Sequence, residues 1–252
     1  MDWSLIIILL IMGAFGGFFA GLLGIGGGML LVPFITMILS ARHFPSEVIV
    51  HMAIATSLAT VMFTSVSSVR AHHQHGAVLW PIVKLMAPGI VLGAWIGPSL
   101  GKLMNSTVLS IFLSLFIMLS ASQMLLGKKP VASHVLPGTS GMLGMGVVIG
   151  TMAGLVGAGG GFISVPFMTR CNVKIHNAVA TSAALGFPLA FGGTMSNIYN
   201  GMQMQGMPEY SLGFIYLPAL LGISVASISF APIGAKVAHS LPIAALKKCF
   251  AF

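Results

Sequence analysis

The chain has 252 residues, of which 57% are hydrophobic and only 6% charged, and its net charge is +8. A soluble domain carries about 25% charged residues, so this composition excludes an ordinary water-soluble enzyme or a nucleic-acid-binding module. It places the chain in a membrane, as does the mean hydropathy of +1.03.

Apolar runs of about 20 residues, the length that crosses a hydrocarbon core, recur along the chain. Their lengths and breakers predict helices over 4–23, 29–40, 48–69, 78–98 and 107–126, then over 138–156, 162–169, 176–195, 212–230 and 241–252. Met1-Asp2-Trp3-Ser4 lacks the basic stretch of a signal peptide, so the first run reads as a retained helix.

The first run ends in Ala20-Gly21-Leu22-Leu23-Gly24-Ile25-Gly26-Gly27-Gly28-Met29-Leu30-Leu31-Val32-Pro33-Phe34. The chain repeats this 133 residues later as Ala153-Gly154-Leu155-Val156-Gly157-Ala158-Gly159-Gly160-Gly161-Phe162-Ile163-Ser164-Val165-Pro166-Phe167, with ten of fifteen positions identical. Two homologous repeats follow, 1–126 and 138–252, joined by a linker at 127–137 that contains Gly127-Lys128-Lys129-Pro130. The last predicted helix is shorter than its counterpart, Thr107 to Leu126.

Each repeat carries one short helix directly after the glycines. A helix of about 12 residues covers about 18 Å and cannot cross a core of about 30 Å unaided. Either the extended glycine turn completes the crossing, giving five crossings per repeat, or the segment re-enters, giving four. With five, Arg70, Lys128, Lys129, Arg170, Lys174 and Lys236 share one face, opposite Arg42 and Lys102. This is the cleaner split under the positive-inside rule. An odd number inverts the repeats, and inverted repeats hold their substrate between them near the midplane, on broken helices. The expected fold is therefore an all-α polytopic membrane protein built from two inverted repeats.

The acidic residues, Asp2, Glu47 and Glu209, all lie outside the apolar runs. Cation pumps hold a carboxylate at membrane depth, so the chain leans toward an anion. After each short helix comes a second shared signature, His51-Met52-Ala53-Ile54-Ala55-Thr56-Ser57 and His176-Asn177-Ala178-Val179-Ala180-Thr181-Ser182, here 125 residues apart. The hydroxyls of Thr56, Ser57, Thr181 and Ser182 can donate to an anion without carrying charge. Turns lacking Cβ atoms at Gly26, Gly27, Gly28, Gly159, Gly160 and Gly161 can aim backbone N–H groups at one point, with a helix N-terminus behind them. These ten residues are the candidate substrate site, with Pro33 and Pro166 bending the short helices and His51 and His176 as further candidates. The alternative is that glycines and hydroxyls serve only close helix packing and back-bonding, as in a non-transporting scaffold or assembly partner.

Other features carry less. His72-His73-Gln74-His75 follows Arg70 and reads as a solvated basic loop rather than a zinc site. Cys171 and Cys249 have neither metal nor disulfide spacing. The glycine turns lack the Lys-Ser/Thr of a P-loop. Gly138-Thr139-Ser140-Gly141 looks like an intramembrane protease motif but stands where a helix N-cap belongs. The expectation is thus no enzyme, no cofactor and no metal. The partners are a small anion and the lipid bilayer, with a homodimer as an option.

The paired glycine motifs with Val32-Pro33 and Val165-Pro166, the Ala-Thr-Ser motifs, and Pro88-Gly89 with Gly93-Ala94 resemble those of the sulfite exporter TauE/SafE family over nearly the whole chain. The resemblance implies a multi-pass inner-membrane transporter that exports sulfur oxyanions, sulfite or organosulfonates. It also implies eight helices, fewer than the ten segments read above.

Overall fold

The structure is a computed structural model that describes residues 3–24, 26–125, 135–204 and 206–241. Among these the chain is almost wholly helical: α1 (Trp3–Leu23), α2 (Gly28–Ala41), α3 (Ile49–Gln74), α4 (Trp80–Lys102), α5 (Ser106–Leu125), α6 (Thr139–Val156), α7 (Gly161–Arg170), α8 (Ile175–Met202) and α9 (Leu217–Ser240). Lipid offers no partner for a backbone N–H or C=O, so a spanning segment must satisfy its own. Six of these helices, all but α2, α5 and α7, are long and apolar enough to cross a membrane over their described lengths. The molecule is an all-α polytopic membrane protein.

Two helices form the core. In their apolar windows α3 is 83% buried and α8 78%, whereas α1, α6 and α9 are each 44% buried and turn Ile7, Ile11, Val148 and Val225 to the lipid. Glycine brings the outer helices in. Gly13, Gly17 and Gly21 of α1 lie against Ile223, Ser227 and Ala231 of α9, and a Cβ on Gly21 would stand 1.9 Å from the Ala231 carbonyl oxygen. Gly89, Gly93 and Gly97 of α4 lie in the same way against Leu143, Val147 and Thr151 of α6. Both tight pairs join a helix from the first half of the chain to one from the second.

The order of these contacts gives the directions. Thr64 Oγ1 of α3 is 2.7 Å from Ser227 Oγ of α9, and His72 Nδ1 is 2.9 Å from His239 Nε2, so α1, α3 and α9 run together. Thr181 of α8 meets Leu79 and Ser196 meets Trp95, so α4, α6 and α8 run together. The two sets are opposed, because Ser65 of α3 faces Gly186 of α8 while Leu58 faces Gly193. Arg70, Arg170, Lys174 and Lys236 consequently lie at one end of the bundle, and Arg42, Lys102, Glu47 and Glu209 at the other.

Several expected boundaries move. α3 continues past Arg70 to Gln74, because nothing before Gly76 (φ 64°) breaks it. His72 is therefore on a helix and fully buried, not in a solvated loop. α8 runs on to Met202. The helix expected from 212 starts at Leu217. Before it, Gly213 (φ 57°) turns a two-residue hairpin, β1 (Ser211–Leu212) and β2 (Ile215–Tyr216), whose register pairs Ser211 with Tyr216. Of the expected helix at 241–252 only Leu241 is described, as the extended residue that ends α9; the rest of it and most of the linker, 127–134, lie outside the described residues.

Candidate functional site

Both glycine turns sit inside the bundle, and they meet. α1 stops at Gly24 (φ 65°) and α2 starts after Gly27 (φ 72°). α6 stops at Gly157 (φ 75°) and α7 starts after Gly160 (φ 77°). An L-residue avoids this left-handed region at a cost of about 1–2 kcal/mol, which explains glycine at each of these four positions. The turns cross at Gly26 and Gly159: a Cβ on Gly26 would stand 3.1 Å from the Gly159 Cα. Gly28, at the start of α2, lies against the Gly157 carbonyl, where the other turn begins.

The Thr-Ser pairs latch this crossing. Ser57 Oγ of α3 is 2.9 Å from the carbonyl oxygens of both Gly28 and Gly157, so its single proton serves the two turns together. Ser182 Oγ of α8 donates to the Gly24 carbonyl at 2.9 Å and accepts from Ser164 Oγ of α7 at 2.8 Å. One position earlier the threonines act as acceptors. Tyr216 N–H, at the start of α9, donates to Thr56 Oγ1 at 3.0 Å, and Leu79 N–H, at the start of α4, donates to Thr181 Oγ1 at 3.0 Å. All four hydroxyl side chains are fully buried. A helix capped from outside by a threonine needs no cap of its own, and neither α4 nor α9 has one.

The first turns of α2 and α7 differ from these. Their N-caps, Gly27 and Gly160, offer no side chain. In each, the third and fourth N–H groups turn back to the N-cap carbonyl, Leu30 and Leu31 to Gly27 and Ile163 and Ser164 to Gly160, and the positive end of the helix dipole lies beside the crossing. The described buried polar side chains are hydroxyls, amides and His72, with no carboxylate or cation among them. An oxyanion brought to this point would meet neutral donors only.

The structure thus brings Gly26 and Gly159 together, with Gly27, Gly28, Gly160 and Gly161 in the same two turns. Ser57 and Ser182 bond the turns from α3 and α8, while Thr56 and Thr181 lie toward opposite ends, at the starts of α9 and α4; all ten are buried. Pro33 and Pro166 lie in corresponding places inside α2 and α7. Each leaves one carbonyl of the preceding turn without its N–H, and Thr36 and Thr169, three residues on, back-bond to the Val32 and Val165 carbonyls.

His51 and His176 stand apart from this region. His51 Nε2 donates to the Gly101 carbonyl at the end of α4 (3.1 Å), its ring stacked on Phe214, and His176 Nε2 donates to the Leu241 carbonyl after α9 (3.3 Å). Each pins the start of a core helix to the end of an outer one. Sequence reasoning missed the acceptor role of the threonines, since Tyr216 and Leu79 carry no signal for it. It also missed the contact of His72 with His239, for which an unbroken helical run past Arg70 was the available clue. A cavity of about 360 Å³ opens at the Arg42 end, with Phe44 and Tyr216 in edge-to-face contact in its wall.

The chain was compared with known proteins. A family model described as "Sulfite exporter TauE/SafE" matches residues 9–252. A "Probable membrane transporter protein" of Haemophilus influenzae is 38% identical over 99% of this chain and 95% of its own length. In Bacillus subtilis, "Probable membrane transporter protein YdhB" is 26% identical over 92% of this chain and 89% of its own length. There too, "Probable membrane transporter protein YunE" is 29% identical over 77% and 79%. No solved structure matches significantly. With a family model covering all but its first eight residues, in agreement with the paired glycine turns, the chain belongs to the sulfite exporter TauE/SafE family.

Proposed function

We propose that this protein exports a small anion, a sulfur oxyanion such as sulfite or an organosulfonate, across the inner membrane, through the crossing of its two glycine turns. One observation carries the reading. Gly26 and Gly159 touch deep in the bundle, and α2 and α7 begin with uncapped N-termini within two residues of that contact. Backbone N–H groups converging on one point can replace the hydration an anion loses.

Two inverted repeats, with the outer pairs α1–α9 and α4–α6 moving on the core helices α3 and α8, would expose the crossing to one side at a time. The positive-inside rule makes the end with Arg70, Arg170, Lys174 and Lys236 cytoplasmic. With the cytoplasm negative, one departing negative charge gains about 2.3 kcal/mol per 100 mV. Export needs no further motor. The buried serines fit this role: Ser57 and Ser182 hold turn carbonyls in the packed state and can swing their protons to an arriving oxyanion.

The test is efflux from proteoliposomes under an imposed potential, interior negative, with sulfite, thiosulfate, sulfate and small sulfonates against phosphate and carboxylates. Sulfur oxyanions are expected to leave and to raise the thermal unfolding midpoint, since a ligand bound to the folded form stabilises it by mass action. If none of them moves or stabilises the protein, the glycines serve packing alone and the scaffold reading replaces this one.

A further inference from the structure

Histidines from three helices gather at the end of the bundle that carries Arg70 and Lys236. His72 of α3 is fully buried, with Nε2 2.9 Å from the Gly21 carbonyl oxygen in the last turn of α1. A carbonyl only accepts, so this nitrogen carries the hydrogen. In the neutral ring Nδ1 is then bare, and it accepts from His239 Nε2 of α9 at 2.9 Å. This leaves Nδ1 of His239 as the open acceptor. The half-buried His239 ring lies beside the exposed His75, with ring centroids 4.4 Å apart, and near His176 of α8 at 6.1 Å. A single carbonyl thus orders a hydrogen-bonded chain from the surface to the residue three places before Gly24.

The chain takes up one proton without rearranging. A proton arriving at His239 Nδ1 lets the Nε2 hydrogen pass to His72 Nδ1, and both hydrogen bonds survive. A second proton cannot be placed, because hydrogens from both rings would face each other across the 2.9 Å contact. The doubly protonated pair has to part, and with it α3 from α9, while His72 Nε2–H keeps its bond to the Gly21 carbonyl.

The surroundings offer the added charge no carboxylate among the described residues. α1 presents only the Gly21 carbonyl. α3 adds the exposed Arg70, His73 and His75, α8 adds His176, and α9 adds the exposed Lys236. Trp80 of α4 donates to His73 Nδ1 at 3.2 Å.

Among the described residues the opposite end shows no bonded histidine pair; there His51 donates to the Gly101 carbonyl. The offset of 125 residues that maps His51 onto His176 maps His72 and His75 onto Asn197 and Asn200. Those amides bond to the Gly193 and Ser196 carbonyls of their own helix at 2.8 and 2.9 Å, and Asn200 also reaches Ser99 Oγ of α4 at 3.2 Å. At the positions corresponding to His72 and His75 the other end carries amides, which bind no proton.

We propose that the His72–His239 pair is a proton-binding site that couples anion movement to pH at this end, by parting α3 from α9, the helix against which α1 and the entry to the first glycine turn are packed. The proposal rests on the transport reading above.

The experiment measures sulfite efflux at fixed potential while the pH on the Arg70 side alone is lowered from about 8 to about 5, the range in which histidine changes charge. His72→Gln and His239→Gln keep the donor and acceptor pattern of the neutral chain but leave one titratable ring, so the pair can take only the first proton, which moves nothing. Wild-type flux is expected to vary by up to about a hundredfold per pH unit, the limit when both protons are taken up within the range, and flux through each variant to stay level across it. A level wild-type profile, or a wild-type slope retained in either variant, overturns the coupling and leaves transport standing. Absence of wild-type flux at every pH overturns the transport reading instead, and the coupling with it. Should one variant fail to fold, the other and the wild-type profile decide.

Discussion

Gly26 and Gly159 stand so close that a Cβ on the first would lie 3.1 Å from the Cα of the second and 2.7 Å from Val61 Cγ1. If the anion passes here as proposed, widening either turn closes the way for both. Gly26→Ala also meets a φ of 72°, a strain of about 1–2 kcal/mol for an L-residue. The variant is expected to unfold at a lower temperature in detergent and to lose most of its anion flux, measured against wild type at equal protein in the vesicles.

The equivalent residues Gly27 and Gly160 should differ in tolerance. A Cβ at Gly27 meets the Gly16 carbonyl oxygen at 2.4 Å, which is backbone, whereas at Gly160 it meets the mobile end of Leu189 at 2.9 Å. Both share the left-handed strain, but only the first forces α2 off α1. Thermal unfolding of Gly27→Ala and Gly160→Ala should show the larger loss for Gly27→Ala, by about 1 kcal/mol or more.

Thr56→Val and Thr181→Val keep side-chain volume and remove one acceptor. Each leaves a helix-start N–H, of Tyr216 or Leu79, without its partner. An unmet buried donor costs about 1–3 kcal/mol, with membrane cases toward the lower figure. Thr→Ser at either position is expected to restore most of the loss. Unfolding midpoints of the four variants check this, and equal midpoints for Val and Ser would show that the hydroxyls bear no load.

Glycine along α6 and its partner is not uniformly needed. Gly93→Ala would put a Cβ 2.1 Å from the Val147 carbonyl oxygen, while Gly144→Ala meets nothing within 4 Å. The first should cost about 1–3 kcal/mol through overpacking. The second should be neutral, or stabilising by up to about 1 kcal/mol from helix propensity. Folded yield and thermal midpoint distinguish them.

The ends of the bundle can be told apart by labelling. Arg170 and Leu103 are exposed at opposite ends. In a background with Cys171 and Cys249 replaced by Ser, Arg170→Cys and Leu103→Cys are expected to react with an impermeant maleimide from opposite sides of sealed vesicles. Reaction of both from one side would contradict the five-crossing reading.

The duplicated glycine runs made the two helix breaks and the short helices after them legible, because helix breaking in lipid has few causes. What those residues do to one another was not legible. Ser57 bonds a carbonyl 100 positions away, and Thr56 serves an N–H 160 positions away. Spacing within a helix carries no information about partners brought from the other half of the chain. The end of α3 was misread because histidines beside arginine look solvated, while burial of His72 depends on His239 and Gly21 arriving from two distant helices. The hairpin before α9 was hidden inside an apolar run that hydropathy treats as one piece.

The pairing of α1 with α9 also shapes how the protein comes off the ribosome. The bare face of Gly13, Gly17 and Gly21 is made within the first two dozen residues, yet the helix that fills it begins only at Leu217. Until then α1 sits in the bilayer with lipid tails against a groove that fits them poorly. A stop codon placed before residue 217 should therefore leave a nascent fragment that membrane proteases clear quickly, and supplying α9 in trans as a separate peptide should prolong its life.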